Sequence, residues 1–132
     1  MARPDERLQK AASVDPQAAL LTFSVLKKRT DFLKAARAKR APCPAFLVQA
    51  RHRSTGEAEG IRVGFTCSKK VGNAVARNRA KRRLREIARS VLPQYGQNGY
   101  DYVLIGRAER TANHDIVAMK ADLIRALRKL HT

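Results

Sequence analysis

Apolar residues recur along this chain in two rhythms, alternating in short runs and returning every third or fourth position in longer ones. Alternation marks half-buried strands and the longer period marks amphipathic helices. Residues 45–50, Ala-Phe-Leu-Val-Gln-Ala, read as a strand with room to continue to His52. The loop from Ser54 to Gly60 returns the chain into a second strand at 61–67. There Ile61, Val63, Phe65 and Cys67 share one face, and Arg62, Gly64 and Thr66 the other. These two strands are expected to pair antiparallel. A third strand, 100–105, follows the turn at 96–99.

Helical spacing fills the gaps. Thr30 or Asp31 can cap a helix through Phe32, Leu33, Ala35 and Ala36, ending at the Ala41-Pro42-Cys43-Pro44 break. A long helix runs from Asn73 or Ala74 to Val91, where Pro93 is expected to stop it. The last helix begins between Asn113 and Asp115 and aligns Ile116, Met119, Leu123, Ile124, Leu127 and Leu130 on one side. The order is helix, strand, strand, helix, strand, helix. The second strand, long helix and third strand form a βαβ-like unit, which implies parallel pairing and ordinarily a right-handed crossover. Residues 1–22 lack sustained periodicity and read as a mobile N-terminal tail, with a short helical turn allowed at 18–21. Residues 23–132 read as a single domain.

Charge changes the picture. Twenty-eight Lys and Arg against eleven Asp and Glu give a formal net charge of +17. Such a field attracts polyanions, nucleic acid first and an anionic membrane surface second. The membrane reading lacks support: there is no Trp, no apolar run long enough to span a bilayer, and small residues head the basic segment. No secretory signal is legible at the N-terminus, so a cytoplasmic protein is expected. Cys43 and Cys67 belong to no CxxC pair and read as reduced core side chains.

The charge concentrates between Lys69 and Arg89, which holds nine Lys or Arg and one acid, Glu86. At about 100° per residue, Ala76, Ala80, Leu84, Ile87, Ala88 and Val91 fall on one stripe, the core side. Arg77, Lys81 and Arg85 form an i, i+4 ladder on one flank. Asn78, Arg82 and Arg89 continue around the back, and Arg79 and Arg83 take the other flank. Like charges at these spacings repel by a few tenths of a kcal/mol per pair, and a merely solvated helix would alternate acids with bases. A polyanion that relieves the repulsion is the economical explanation. Arginine's planar fork suits phosphate oxygens and stacking on bases. Lys69 and Lys70 lie just upstream, and Gly72-Asn73 at the helix entry reads as a turn with an N-cap, an anion site, or both.

The run Ser68-Lys69-Lys70-Val71-Gly72-Asn73-Ala74-Val75, followed by Arg77-Asn78-Arg79, then Lys81-Arg82 and Arg85, resembles the signature of bacterial ribonuclease P proteins. The likeness extends from Leu26 to Leu130. It implies an α+β fold of the ribonuclease P protein / ribosomal protein S5 domain 2-like kind. That is a small mixed sheet with helices packed on it, order α-β-β-(β)-α-β-α, with a left-handed βαβ crossover carrying the basic helix. It also implies a protein cofactor of a ribozyme. Lys69, Lys70, Asn73, Arg77, Asn78, Arg79, Lys81, Arg82, Arg85 and Arg89 would bind the RNA subunit and precursor tRNA. A cleft between the first helix and the open sheet face would take the single-stranded 5′ leader, with Phe32 and Phe46 as its aromatics. The reaction implied is endonucleolytic release of the leader, leaving tRNA with a 5′ phosphate. Mg²⁺ is expected on the RNA subunit and no obligate protein partner is expected. Two positions depart from the family: Ala36 stands where a second aromatic is common, and Gln49 where an aromatic is frequent on the strand. Leader binding should then lean more on charge.

No catalytic or metal-binding residue is assigned. Asp101, Glu109, Asp115 and Asp122 show no metal-box spacing, and His114-Asp115 reads as a helix N-cap rather than a metal pair. The absence of an acid cluster argues against a protein-only nuclease. The absence of a helix-turn-helix argues against a DNA-binding regulator. A small basic ribosomal protein with a structural role shares the composition but not the ordered motif.

Overall fold

The computed structural model describes residues 23–54 and 60–132. The expected tail therefore lies outside the described residues, as does its helical turn. Among the described residues the elements run β1 (Phe23–Val25), α1 (Arg29–Ala36), β2 (Lys39–Pro42), β3 (Phe46–His52), β4 (Ile61–Thr66), α2 (Ala74–Tyr95), β5 (Tyr100–Gly106), α3 (Arg110–Asn113) and α4 (Ile116–Leu130), with a single 3₁₀ turn at Lys69–Val71. The five strands form one mixed sheet in the order β1-β4-β5-β3-β2.

The α+β class and the βαβ unit stand, since β4 and β5 are parallel neighbours joined through α2. The expected antiparallel pair of β3 and β4 does not form. β5 inserts between them, antiparallel to β3 and parallel to β4. Asp101, Tyr102, Val103 and Leu104 are all buried, so β5 needs ladder partners on both edges as well as cover on both faces.

Two short strands were not expected. β1 runs parallel to β4, and β2 pairs antiparallel with β3, Ala41 opposite Val48. The sequence Lys-Arg-Ala-Pro of β2 carries little strand propensity, and burial of Ala41 at the sheet edge decides its conformation. The first helix accordingly stops at Ala36, short of the Pro42 break. Its N-cap is Lys28, without a side-chain bond. Thr30 and Asp31 lie in the first turn, where Asp31 suits the positive helix end and sits 3.7 Å from Arg62. Pro93 does not stop the long helix either. It lies in the last turn, and the helix closes as Gly96 N–H donates to the Leu92 carbonyl at 2.8 Å.

One sheet face meets α2 and α4. Phe46, Val48, Ile61, Val63, Tyr102 and Leu104 pack there against Ala80, Leu84, Ile87, Leu123 and Leu127. The other face carries α1 in a smaller cluster of Leu26, Ala35 and Val103, with Phe32 and Ile105 against it. Gly64 makes that approach possible, because a Cβ there would lie 2.5 Å from the Phe32 ring. Cys43 and Cys67 are buried free thiols. Burial, with Asp122 adding to it, pushes the Cys43 thiol up to about 11, so it holds little reactive thiolate at neutral pH.

Candidate nucleic-acid interface

The basic helix starts from a tightly specified entry. Ser68 Oγ accepts from Lys70 N–H at 3.3 Å, and the 3₁₀ turn leads to Gly72 at φ 142°. That backbone conformation excludes ordinary side chains, and a Cβ there would also sit 2.8 Å from Ala76. Asn73 then caps α2, its Oδ1 accepting from Ala76 N–H at 2.9 Å. Lys69, Lys70 and Asn73 are exposed at this end.

Along α2 the apolar stripe is buried as expected at Ala80, Leu84, Ile87, Ala88 and Val91, and Leu92 joins it. Ala76 is only half-buried. The polar side chains separate into two groups. Asn78, Arg79, Arg82, Arg85 and Arg89 are exposed, and Arg77 and Lys81 are half-buried along the same ladder. Arg83 turns inward instead. Its Nε donates to the Thr111 carbonyl at 2.8 Å and its Nη2 to the His114 carbonyl, which ties α2 to the segment before α4. Arg79 reaches the Ala112 carbonyl at 3.4 Å but stays exposed. Arg77 Nε is shielded from solvent without a hydrogen-bond partner among the described residues.

The acid complement on this helix is small. Glu86 faces Lys120 at 3.8 Å, and among the described residues no ion pair involves Arg77, Arg79, Lys81, Arg82, Arg85 or Arg89. The guanidinium of Arg85 lies 5.9 Å from the centroid of the Phe65 ring. A row of cations spaced four apart, Arg77, Lys81, Arg85 and Arg89, therefore winds from one flank toward the back of a rigid rod with little internal neutralisation. Phosphates are the groups that such a row fits.

The family model for ribonuclease P matches residues 20–131. This chain belongs to the ribonuclease P protein family. It is 69% identical over 109 residues to the ribonuclease P protein component of Ruegeria pomeroyi, across 83% of this chain and 87% of that protein. The corresponding protein of Gluconacetobacter diazotrophicus is 49% identical over 79% of this chain and 88% of its own length. The fold matches solved ribonuclease P proteins at TM-score 0.63. These are from Staphylococcus aureus (25% identity, 80% of this chain, 93% of that one) and Thermotoga maritima (28% identity, 79% and 94%). As a ribonuclease P protein component, the chain is part of an RNA–protein endoribonuclease of tRNA processing, with the ribonuclease P RNA as its partner.

The two expected leader aromatics fall on opposite faces of the sheet. Phe32 is half-buried on the α1 face, where a cleft could use it. Phe46 is fully buried in the main core beneath α2 and α4, so it is withdrawn as a cleft residue. The alternation of β3 explains the error. Phe46, Val48 and Ala50 face the core, which leaves Leu47, Gln49 and Arg51 for the α1 face. Ala36 is exposed and Gln49 is buried.

Two features escaped the sequence reading. Lys27 and Lys28, at the entry to α1, line a shallow pocket with Asp31 and Arg62, and the Lys-Lys-Arg run at 27–29 was the available signal. Asp101 is fully buried at the centre of the sheet and accepts from Arg53 Nη1 at 2.7 Å and from Arg62 Nε and Nη2 at 2.8 Å each. Burial alone would raise its pKa, but the hydrogen bonds and charges of Arg62 and Arg53 outweigh it and hold the carboxyl below its ordinary value. His114-Asp115 behaves as a cap: Asp115 Oδ2 accepts from Ala118 N–H at 2.9 Å. Among the described residues no three His, Cys, Asp or Glu are placed to hold a metal ion, and no helix is long and apolar enough to cross a membrane.

Proposed function

We propose that this chain binds the ribonuclease P RNA through the exposed flank of α2 and takes the 5′ leader of precursor tRNA on the α1 face. The RNA contacts are Lys69, Lys70, Asn73, Arg77, Asn78, Arg79, Lys81, Arg82, Arg85 and Arg89. Phe32 and the cations Lys27 and Lys28 serve the leader. The observation that carries this reading is the row of exposed arginines on α2 with one acid on the whole helix, itself paired to Lys120. Hydrolysis is done by the RNA subunit with its own Mg²⁺, in the cytoplasm, and the protein contributes affinity and position. Neutralising crowded phosphates lowers the magnesium that the RNA needs in order to fold and hold substrate. The test is reconstitution with the cognate RNA. The protein alone leaves precursor tRNA intact, and adding it to the RNA restores cleavage at low magnesium. Cleavage by RNA-free protein would overturn this division of labour.

A further inference from the structure

The lower end of the arginine row does not finish on a flat surface. Between β1, β4 and α2 lies a groove of about 500 Å³, lined by Val25, Val63, Phe65, Arg85, Arg89 and Pro93. That volume falls within the range of small-molecule sites, about 300–1,000 Å³. Its existence follows from the sheet edge. Among the described residues β1 ends at Val25, in register with Val63, while β4 runs on to Thr66, so Phe65 has no strand neighbour on that edge. Val25 is left 55% exposed, an apolar residue on an edge strand with a charged helix above it.

The lining is chemically divided. Val25, Val63 and Pro93 make an apolar floor, and Phe65 is half-buried beside the Arg85 guanidinium, 5.9 Å from its ring centroid. Arg85 and Arg89, one helical turn apart, supply cations at the rim, and no acid lines the groove among the described residues. A purely apolar occupant would strip water from two guanidinium groups and give them nothing in return. A simple anion would leave the floor and the ring unused. A flat aromatic group carrying a phosphate satisfies both halves.

We propose that this groove is a nucleotide site that receives one unpaired RNA residue, its base against Phe65 and Arg85 and its phosphate on Arg89. The inference rests on the RNA-binding reading of α2 and extends it, because the backbone that follows Arg77 and Lys81 arrives at this groove. An unpaired residue is required, since a paired base is held in its own stack. Base stacking on an aromatic with a guanidinium alongside is sequence-tolerant, so the site selects an exposed base rather than a particular one.

The full chain can be titrated with AMP, ribose 5-phosphate and inorganic phosphate while methyl and arginine Nε–H NMR signals are followed. AMP should move the Val25 and Val63 methyls together with Arg85 and Arg89. The two base-free phosphates should move the arginines alone, with at least tenfold weaker affinity. Val25→Glu, at an exposed position that leaves the core intact, should abolish the AMP response, and Phe65→Ala should weaken it by about tenfold or more. Methyls indifferent to AMP, or equally responsive to ribose 5-phosphate, would overturn the proposal. So would methyl shifts produced by deleting residues 1–20 but not by AMP, since the groove would then hold the chain's own N-terminal segment. Binding of ribonuclease P RNA by the wild-type chain is measured alongside. Its absence would strike the functional reading itself, whereas RNA binding without an AMP response removes the nucleotide site alone.

Discussion

Arg82 and Arg83 are neighbours in sequence and opposites in role. Arg82 points to solvent, whereas Arg83 hydrogen-bonds the Thr111 and His114 carbonyls. Arg82→Ala should weaken RNA-subunit binding by about 1–3 kcal/mol and leave the melting temperature unchanged. Arg83→Ala should instead destabilise the fold by about 1–3 kcal/mol, because a charged donor to two half-buried carbonyls is lost. Filter binding and thermal melts on both variants separate the two roles, and a melting loss in Arg82→Ala would mean the exposed face is structural. Asp101 makes the opposite case, a carboxylate no solvent reaches. Asp101→Asn should cost about 3–5 kcal/mol, since Arg53 and Arg62 lose a shared buried counter-charge. Its folded pKa lies below the ordinary 3.8, so its contribution is complete above that pH and fades as pH falls through the folded value. The wild-type melting curve should therefore drop below about pH 4, and the Asp101→Asn curve should be flatter there.

At the level of elements, the seating of α1 on the sheet depends on one missing side chain. Gly64→Ala places a Cβ 2.5 Å from the Phe32 ring and 3.2 Å from Leu26, so the helix and its aromatic must shift. The expected cost is about 1–3 kcal/mol in stability, as for other overpacked sites. Leader affinity should fall with it, while RNA-subunit binding through α2 on the opposite face persists. Equal loss of both affinities would show that the two faces are not separate sites. The long elements were legible because their periodicity is strong: α2, α4, β4 and β5 lie within a few residues of their expected bounds. β1 and β2 were not, because three or four residues such as Phe-Ser-Val and Lys-Arg-Ala-Pro become strands only when a sheet edge offers them hydrogen bonds. Phe46 was misplaced for a related reason. A strand pattern shows which residues share a face but not which of two covered faces it is.

For the molecule as a whole, a net charge of +17 makes RNA affinity a function of salt. Log affinity should fall linearly with log salt concentration, and each phosphate-contacting arginine removed should reduce the slope by about one. Arg82→Ala and Arg89→Ala should do so, and Arg83→Ala should not; isothermal titration across a salt series reads the difference. A slope that none of these changes would place the RNA on another surface. By itself the sequence determined the partner class, because charge density and the ordered motif from Ser68 to Arg85 are properties of the chain before it folds. It also determined the helix that carries them, since helical spacing sorts core from flank without knowledge of neighbours. Only the tertiary structure decided that β5 divides β3 from β4, that Arg83 and Asp101 turn inward, and that Phe32 and Phe46 part company. Those outcomes depend on contacts between segments far apart in the chain, whose energies no local pattern encodes.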